Sequence, residues 1–209
     1  MIRLLAALDD VHAPASNDNF ADGLCRWFDW TDAISLSAAL DGPAATPQAG
    51  LPAANSASTA SNATSAEDRD YRRVRAALAK LAASPAVDAA DDFAPHRQRY
   101  AAWQQAMEAA IPALRRRVRA TLAGASPAMA RLASLDTVMD QVVGARERVL
   151  LSTVPSWLEQ RFERLRRAAP EGWLATFSQD MREVLLAELD LRLQPVEGLL
   201  EALRGPTPD

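Results

Sequence analysis

The chain has 209 residues and a formal net charge of −4, and this length can bury a sizeable core without a disulfide or metal staple. Alanine contributes 44 residues and leucine 26, whereas valine contributes 11 and isoleucine 3. β-Sandwiches and parallel sheets need β-branched residues, and all-β folds need many glycine turns, but the chain has only 8 glycines. The composition therefore argues against these classes and predicts an all-α protein.

The chain offers few residues that could hold a metal or a cofactor. Cys25 is the single cysteine, and His12 and His96 are the two histidines, which argues against a disulfide framework and against a Cys- or His-based metal site. No run approaches the roughly 18 apolar residues of a membrane span, and the apolar run at residues 4–8 is too short for a signal peptide. The sequence therefore predicts no metal, no cofactor, no transmembrane segment and a cytoplasmic location.

The charges are distributed unevenly along the chain. Residues 1–66 carry a net charge of −5, residues 67–169 carry +6, and residues 170–209 carry −5. A basic middle between acidic ends could meet an outside partner. We favour the internal alternative, in which the acidic segments pack beside the basic one.

Residues 42–66 contain no charged side chain and consist mostly of Ala, Ser, Thr, Pro and Asn. Such a segment lacks the bulky apolar residues needed to offset its ordering entropy. It is predicted to be a disordered linker between an N-terminal arm, residues 1–41, and a helical bundle, residues 67–209. Thr64 and Glu67 have the spacing of a capping box, which places the start of the next helix there.

The N-terminal arm contains a predicted helix over residues 19–40 with aromatic residues along one side. Trp27 and Trp30 lie three residues apart in it, and tryptophan often anchors protein interfaces. Burial against the chain's own bundle is the first interpretation, because the arm is acidic and residues 67–169 of the bundle are basic. Docking on a partner protein is the alternative, so both tryptophans are candidate partner-binding residues.

Apolar residues recur at steps of three and four through the rest of the chain, which is the period of an amphipathic helix. This period and the turn signals predict long helices at residues 67–84, 95–123, 127–169 and 173–204, the third interrupted at Pro155. Pro112 and Pro195 fall inside helices and should kink them. The prediction is an elongated, antiparallel bundle of long Pro-kinked helices, similar to a coiled coil, with a tethered N-terminal arm.

The last helix has more leucines than one neighbouring helix needs. Leu186, Leu191 and Leu199 lie off the axis of its main apolar stripe and widen the apolar face. We expect these three residues to contact a second copy of the chain or another helical protein.

Arginine accounts for 22 of the 23 basic residues, and several arginines are clustered. Such clusters can bind phosphates, which makes a nucleic-acid-binding protein the alternative function. The candidate phosphate-binding residues are Arg115, Arg116, Arg117, Arg119, Arg164 and Arg167. The acidic overall charge disfavours nucleic acid, and the lack of a helix with both a basic and an aromatic face disfavours peripheral membrane binding. An uncompensated basic face would favour phosphate binding, and arginines interleaved with acids would favour a bundle.

The acidic residues form no recognisable catalytic constellation. Glu188 and Arg192 are spaced i,i+4 and are predicted to pair along the helix surface. Asp88, Asp91 and Asp92 precede His96 in a segment that we interpret as a solvated loop rather than a metal site. The sequence therefore names no catalytic residue.

Three stretches resemble a proteobacterial domain-of-unknown-function family that is helical and has no assigned activity. They are Arg26–Leu36 (RWFDWTDAISL), Thr153–Arg166 (TVPSWLEQRFERLR) and Leu186–Leu200 (LAELDLRLQPVEGLL). The resemblance implies gene neighbours that encode an OmpA-like protein and a membrane protein similar to proton-channel motor subunits, and hence a role beside a cell-envelope complex. It supplies no catalytic residues. Together with the residue patterns, it favours a non-enzymatic helical scaffold or adaptor that acts through protein–protein contacts.

Overall fold

The structure is a computed structural model that describes residues 30–41, 53–83, 92–168 and 171–205. These residues form α-helices joined by short turns, and none of them lies in a strand, so the all-α prediction is confirmed. In chain order the helices are α1 (Trp30–Asp41), α2 (Ala53–Ala82), α3 (Ala94–Ala125), α4 (Pro127–Leu151), α5 (Val154–Ala168) and α6 (Trp173–Arg204).

The predicted linker is wrong for residues 53–66, because α2 begins at Ala53 instead of near Glu67. The absence of charge and bulk suggested disorder, but alanine has the highest helix propensity of any residue, and Ser, Thr and Asn are tolerated in helices. Once the amphipathic half of α2 has formed, each residue added to its N-terminal end gains one hydrogen bond. The remaining predicted linker residues, 42–52, lie outside the described part of the chain.

The local signals for helix ends are mostly confirmed. Ser126 caps α4 by accepting a hydrogen bond at Oγ from the amide of Met129, at 3.2 Å. The interruption at Pro155 is a break between Leu151 and Val154, because proline cannot supply the amide that would continue the helix.

Two glycines adopt the left-handed backbone conformation that other residues avoid. Gly172, at φ 77°, turns the chain just before α6 begins, and Gly205, at φ 75°, ends α6. Pro112 and Pro195, in contrast, lie within α3 and α6, which continue past them.

The chain divides into two compact units. Within the described residues, unit 1 lies in residues 74–111 and 148–193, and unit 2 lies in residues 30–73, 112–147 and 194–205.

In unit 1, contacts define how α2, α3 and α6 run. The indole of Trp103 donates to the carbonyl oxygen of Leu78, and Arg99 donates to that of Ala82, so α2 and α3 run in opposite directions. The apolar stripes of these helices, α5 and α6 meet in a core. Its buried side chains include Leu78, Tyr100, Trp103, Met107, Leu158, Phe162, Phe177, Leu185, Leu189 and Leu193.

In unit 2, the middle of α2 and the C-terminal part of α6 also run in opposite directions. Arg204 pairs with Asp68 at 2.5 Å, and Tyr71 donates its hydroxyl to Glu197. The buried apolar residues of the unit include Leu114, Val118, Leu122, Ala133, Val142, Val196, Leu199 and Leu200. In the part of the chain that the structure describes, no helix combines the length and apolarity that crossing a bilayer would require.

Two leucines one turn apart on α2 provide a matched test of this packing. Leu78 is 4 % exposed and Leu81 is 50 % exposed. We expect Leu78→Ala to lower the free energy of unfolding by about 2–5 kcal/mol, because it leaves a cavity in the core of unit 1. Leu81→Ala should change it by about 0.5 kcal/mol or less. Urea unfolding measures both, and equal losses would contradict the assigned register of α2.

Candidate interaction surface

A fully buried carboxylate lies between α3 and α6. Glu188 is 0 % exposed and accepts hydrogen bonds from the hydroxyl of Tyr100 and from Nε2 of Gln104, the latter at 3.1 Å. Arg192 pairs with the same carboxylate at 2.9 Å. The predicted pair of Glu188 and Arg192 therefore exists, but its predicted surface position is wrong. Glu188 lies between two buried residues of the stripe, Leu185 and Leu189, which turns its carboxylate into the protein.

The network satisfies groups that burial would otherwise penalise. A buried carboxylate needs an opposite charge and hydrogen-bond donors to remain ionised. Glu188 has both, because it pairs with Arg192 and accepts hydrogen bonds from Tyr100 and Gln104. Burial and the neighbouring negative charge raise the pKa of the Tyr100 phenol well above its usual value, so this hydroxyl stays protonated as a donor.

His96 is buried in an aromatic cluster of unit 1. Its ring centroid lies 5.0 Å from that of Phe177 and 5.6 Å from that of Phe162. The predicted solvated loop is therefore wrong for His96, although Asp92 does cap α3 by accepting from the amide of Ala94 at 3.0 Å. Nε2 of His96 is buried and finds no hydrogen-bond partner among the described residues. Burial, followed by the positive charge of Arg99, lowers the pKa of His96.

Two of the candidate phosphate-binding arginines hold α3 to α4. Arg115 binds Asp136 at 2.6 Å and Asp140 at 2.7 Å, and Arg119 binds the same two carboxylates at 3.0 and 2.9 Å. Arg119 also donates to the hydroxyl of Thr137. Arg115 and Arg119 lie one turn apart, as do the two aspartates, so their facing side chains form an interleaved ion-pair ladder.

The other candidate arginines have different surroundings. Arg117 pairs with Asp70 at 3.0 Å, and Arg116 is exposed on α3. Arg164 and Arg167 are on α5, where they line an open depression together with two glutamates. One of those glutamates, Glu163, pairs with Arg167 at 3.4 Å.

Pairs that join different helices recur elsewhere. They are Arg75–Asp190, Arg97–Glu159 and Arg161–Asp180 in unit 1 and Arg204–Asp68 in unit 2. Arginines interleaved with acids are the arrangement that favours a bundle. Among the described residues, no group of three or more His, Cys, Asp or Glu side chains could hold a metal ion.

The three leucines predicted to contact a partner differ in exposure. Leu199 is 4 % exposed, so its prediction as a surface contact is wrong. It packs inside unit 2, where neighbouring helices cover more of α6 than its main apolar stripe alone. Leu186 and Leu191 are half-buried.

Of the two candidate partner-binding tryptophans, the structure describes Trp30. Trp27 lies outside the described residues, whereas Trp30 is the first residue of α1 and is 80 % exposed. Ile34 and Leu40 on the same helix are also exposed. Trp30 is therefore not buried, contrary to the favoured interpretation, whereas Asp32, Leu36 and Ala39 on another side of α1 are half-buried.

Sequence reasoning missed a second group of exposed apolar residues. Val149, Leu150 and Trp157 flank the break between α4 and α5 and are all exposed. None of the three was among the candidate partner-binding residues predicted from the sequence. The predicted interruption at Pro155 was the one sequence signal that could have pointed to them. A break changes the direction of the helix, so the apolar residues on its two sides need not face the same core.

A family described as "Protein of unknown function (DUF3348)" matches residues 1–205. The chain belongs to this family. The resemblance inferred from the three stretches is therefore confirmed. Neither the comparison with curated proteins nor the comparison with solved structures gave a match.

The buried carboxylate yields a stability prediction. Glu188→Gln removes the carboxylate charge with which Arg192 pairs, at a position where the Arg192 side chain is only 10 % exposed. We expect the free energy of unfolding to fall by about 3–5 kcal/mol, as when one partner of a buried ion pair is removed. Glu183→Gln, at an exposed position of the same helix, is the matched control and should stay within about 0.5 kcal/mol. Similar losses in denaturant titrations of both variants would contradict the role of the buried network.

His96 yields a pH dependence. Its folded-state pKa is lowered, so the unfolded chain binds a proton more readily than the folded chain. The stability that neutral His96 contributes is therefore complete above the unfolded value of 6.5 and is lost as the pH falls below it. The slope from this one group is at most about 1.4 kcal/mol per pH unit.

The variant His96→Phe lacks this titrating group, so comparing its stability with that of wild type across pH tests the prediction. We expect wild type to lose more unfolding free energy than His96→Phe between about pH 7 and pH 5, the range in which histidine changes charge. His12 is present in both proteins, so it does not account for a difference in slope. Identical pH profiles would show that His96 keeps its ordinary pKa.

Proposed function

We propose that the protein is a non-enzymatic helical scaffold or adaptor that acts through protein–protein contacts, with α1 as a contact helix. The observation that carries the proposal is the exposure of the large apolar residues of α1, above all Trp30. Tryptophan is among the residues that contribute most to protein interfaces.

The geometry of α1 supports a docking role. At 100° per residue, Trp30, Ile34 and Leu40 fall within an arc of roughly 120°, whereas Thr31 and Ser35 lie on another side. A helix of 12 residues is marginal in water without tertiary contacts. A partner groove that covers this arc would bury the apolar residues and stabilise the helix, as in other helix-in-groove complexes.

The ionisable residues support a scaffold because their contacts lie between helices. Arg115 and Arg119 join α3 to α4, Arg161 joins α5 to α6, and Glu188 is enclosed between α3 and α6. These charged groups pair with one another and so fix the helices in register.

The same pairing argues against the nucleic-acid alternative. Arg115 and Arg119 are only 13 % and 15 % exposed at the side chain and already bind Asp136 and Asp140. A phosphate would have to displace these carboxylates and would face their negative charge. The resemblance to the family implies instead a role beside a cell-envelope complex, so the membrane fraction is where a protein partner should be sought.

An affinity capture tests the proposal, with the full-length chain as bait in a detergent extract of the native host. We expect Trp30→Ala to weaken partner binding about thirtyfold or more, which is the effect of truncating an interface hot spot. Mass spectrometry should then find the specific partners depleted. Ser35→Ala, on another side of the same helix, is the matched control and should retain them.

Two outcomes would contradict the proposal. Equal capture by wild type and Trp30→Ala would remove α1 from the interface. Loss of the captured proteins after nuclease treatment would favour the nucleic-acid alternative.

A further inference from the structure

Three phenylalanine rings and the ring of His96 pack together where α3, α5 and α6 meet in unit 1. Phe93 lies just before α3 and His96 lies in its first turn, with their ring centroids 6.4 Å apart. Phe162 of α5 lies 5.7 Å from Phe93, and Phe177 of α6 lies 5.0 Å from His96. None of these four residues, which we call the His96 cluster, is more than 6 % exposed.

The His96 cluster accommodates the neutral imidazole better than the charged one. A protonated imidazole donates from both ring nitrogens, but Nε2 is buried without a hydrogen-bond partner among the described residues. A buried charge that lacks a partner is costly. A positive charge in the first turn of a helix also opposes the partial positive charge of the helix N-terminus.

The charged residues on the same segment do not favour a proton on His96. Arg99 lies three residues further along α3, and the guanidinium of Arg97 lies 5.5 Å from the ring centroid of Phe93. Asp92, just before α3, is the cap that accepts from a backbone amide at 3.0 Å. Burial, followed by the positive charge of Arg99, lowers the pKa of His96.

Carboxylates on the two facing helices are occupied by arginines. Glu159 of α5 pairs with Arg97 at 2.5 Å, and Asp180 of α6 pairs with Arg161 of α5 at 2.8 Å. Within the described part of the chain, His96 forms no ion pair with a carboxylate. Protonation of His96 would therefore be uncompensated while its ring stays in the cluster.

Other contacts hold α3 beyond its first turn. Tyr100 donates to the buried Glu188, and the indole of Trp103 donates to a carbonyl oxygen of α2 at 3.2 Å. The first turn is joined to α5 by the Arg97–Glu159 pair, whose side chains are 55 % and 44 % exposed, and exposed pairs contribute little stability. Its position thus depends mainly on burial of the rings. Segments with so few anchoring contacts open at lower cost than the whole protein.

We propose that the His96 cluster is a pH-sensitive switch: in mild acid, protonated His96 leaves the cluster and the first turn of α3 opens, while the rest of the helix keeps its contacts. Opening uncovers the rings of Phe162 and Phe177, so acid creates an apolar surface that is closed at neutral pH. The switch does not involve α1, so its failure and the failure of the proposed function are distinguishable.

The sign of the pH dependence follows from proton linkage. Because the pKa of His96 is lowered in the closed form, the open form binds the proton more readily, and acid favours opening. With an open-form value of 6.5, the opening equilibrium rises by up to about tenfold between about pH 7.5 and pH 5.5. Carboxylates ordinarily titrate near about pH 4, which is below this window.

Hydrogen exchange followed by mass spectrometry tests the switch in the full-length chain. The amide of Arg97 donates to the carbonyl oxygen of Phe93 at 3.0 Å, so amides 97–100 lose their acceptors when the first turn opens. After correction for the intrinsic pH dependence of exchange, their protection should fall severalfold, up to about tenfold, between about pH 7.5 and pH 5.5. Amides 104–111 of the same helix should change by less than about twofold.

Three variants assign the effect. His96→Phe removes the titrating group and should abolish the fall at amides 97–100. His96→Gln is a second non-titrating variant that should do the same, should the larger ring disturb the packing. Glu159→Gln is the matched control, because it removes the ion pair of the same turn but keeps His96. It should lower protection at both pH values and retain the pH dependence.

Each of four results would overturn the inference. Unchanged protection of amides 97–100 in wild type would show that the cluster stays closed in acid. A fall of equal size at amides 104–111 would mean that acid acts through global unfolding alone. An equal fall in both His96 variants, or loss of the pH dependence in Glu159→Gln, would assign the titration to a different group.

Discussion

The buried charge of Glu188 constrains how the helices of unit 1 pack. Stripes of leucine and alanine can slide past each other by a turn at small cost, because the side chains along them are similar. A carboxylate between Leu185 and Leu189 removes that freedom, since it must meet Tyr100 and Gln104 of α3 to be satisfied. A slip of one turn would leave the charge with fewer partners, and an uncompensated buried charge is strongly destabilising. We infer that the network selects one register among several that the apolar stripes alone would permit, as buried polar residues do in coiled coils.

The helices could be predicted from local signals, whereas the N-terminal part of α2 could not. Apolar spacing places α3 and α6 within a few residues of their observed ends, and Ser126, Pro155 and Gly205 mark boundaries for local chemical reasons. The charge-free segment before Glu67 was misjudged because the same composition describes a linker and an alanine-rich helix. Its helical propensity becomes decisive only when the following turns are already helical, and that depends on tertiary packing.

Which side chains are exposed was harder to predict than the helices, because exposure depends on contacts between residues far apart in sequence. Glu188 and Arg192 are one turn apart and were readable as a pair, but Tyr100 is 88 residues from Glu188. Without that long-range contact, the pair looks like an ordinary surface ion pair. Leu199 and Leu150 are both leucines in apolar stretches, yet one is buried and the other exposed. The difference lies in which neighbouring helices cover each position, and helical period alone does not contain that information.

Stability and the proposed binding depend on different residues of this protein. Glu188 and the arginines of the α3–α4 ladder make their contacts inside the protein, so their substitution changes stability first. The large apolar residues of α1 are exposed, so they add little to the core, and their substitution changes contacts with other molecules first. Binding through α1 would cost the protein little folding free energy, because no buried residue has to be released. The proposed contact helix could therefore change its partner during evolution while the helical core retains its register.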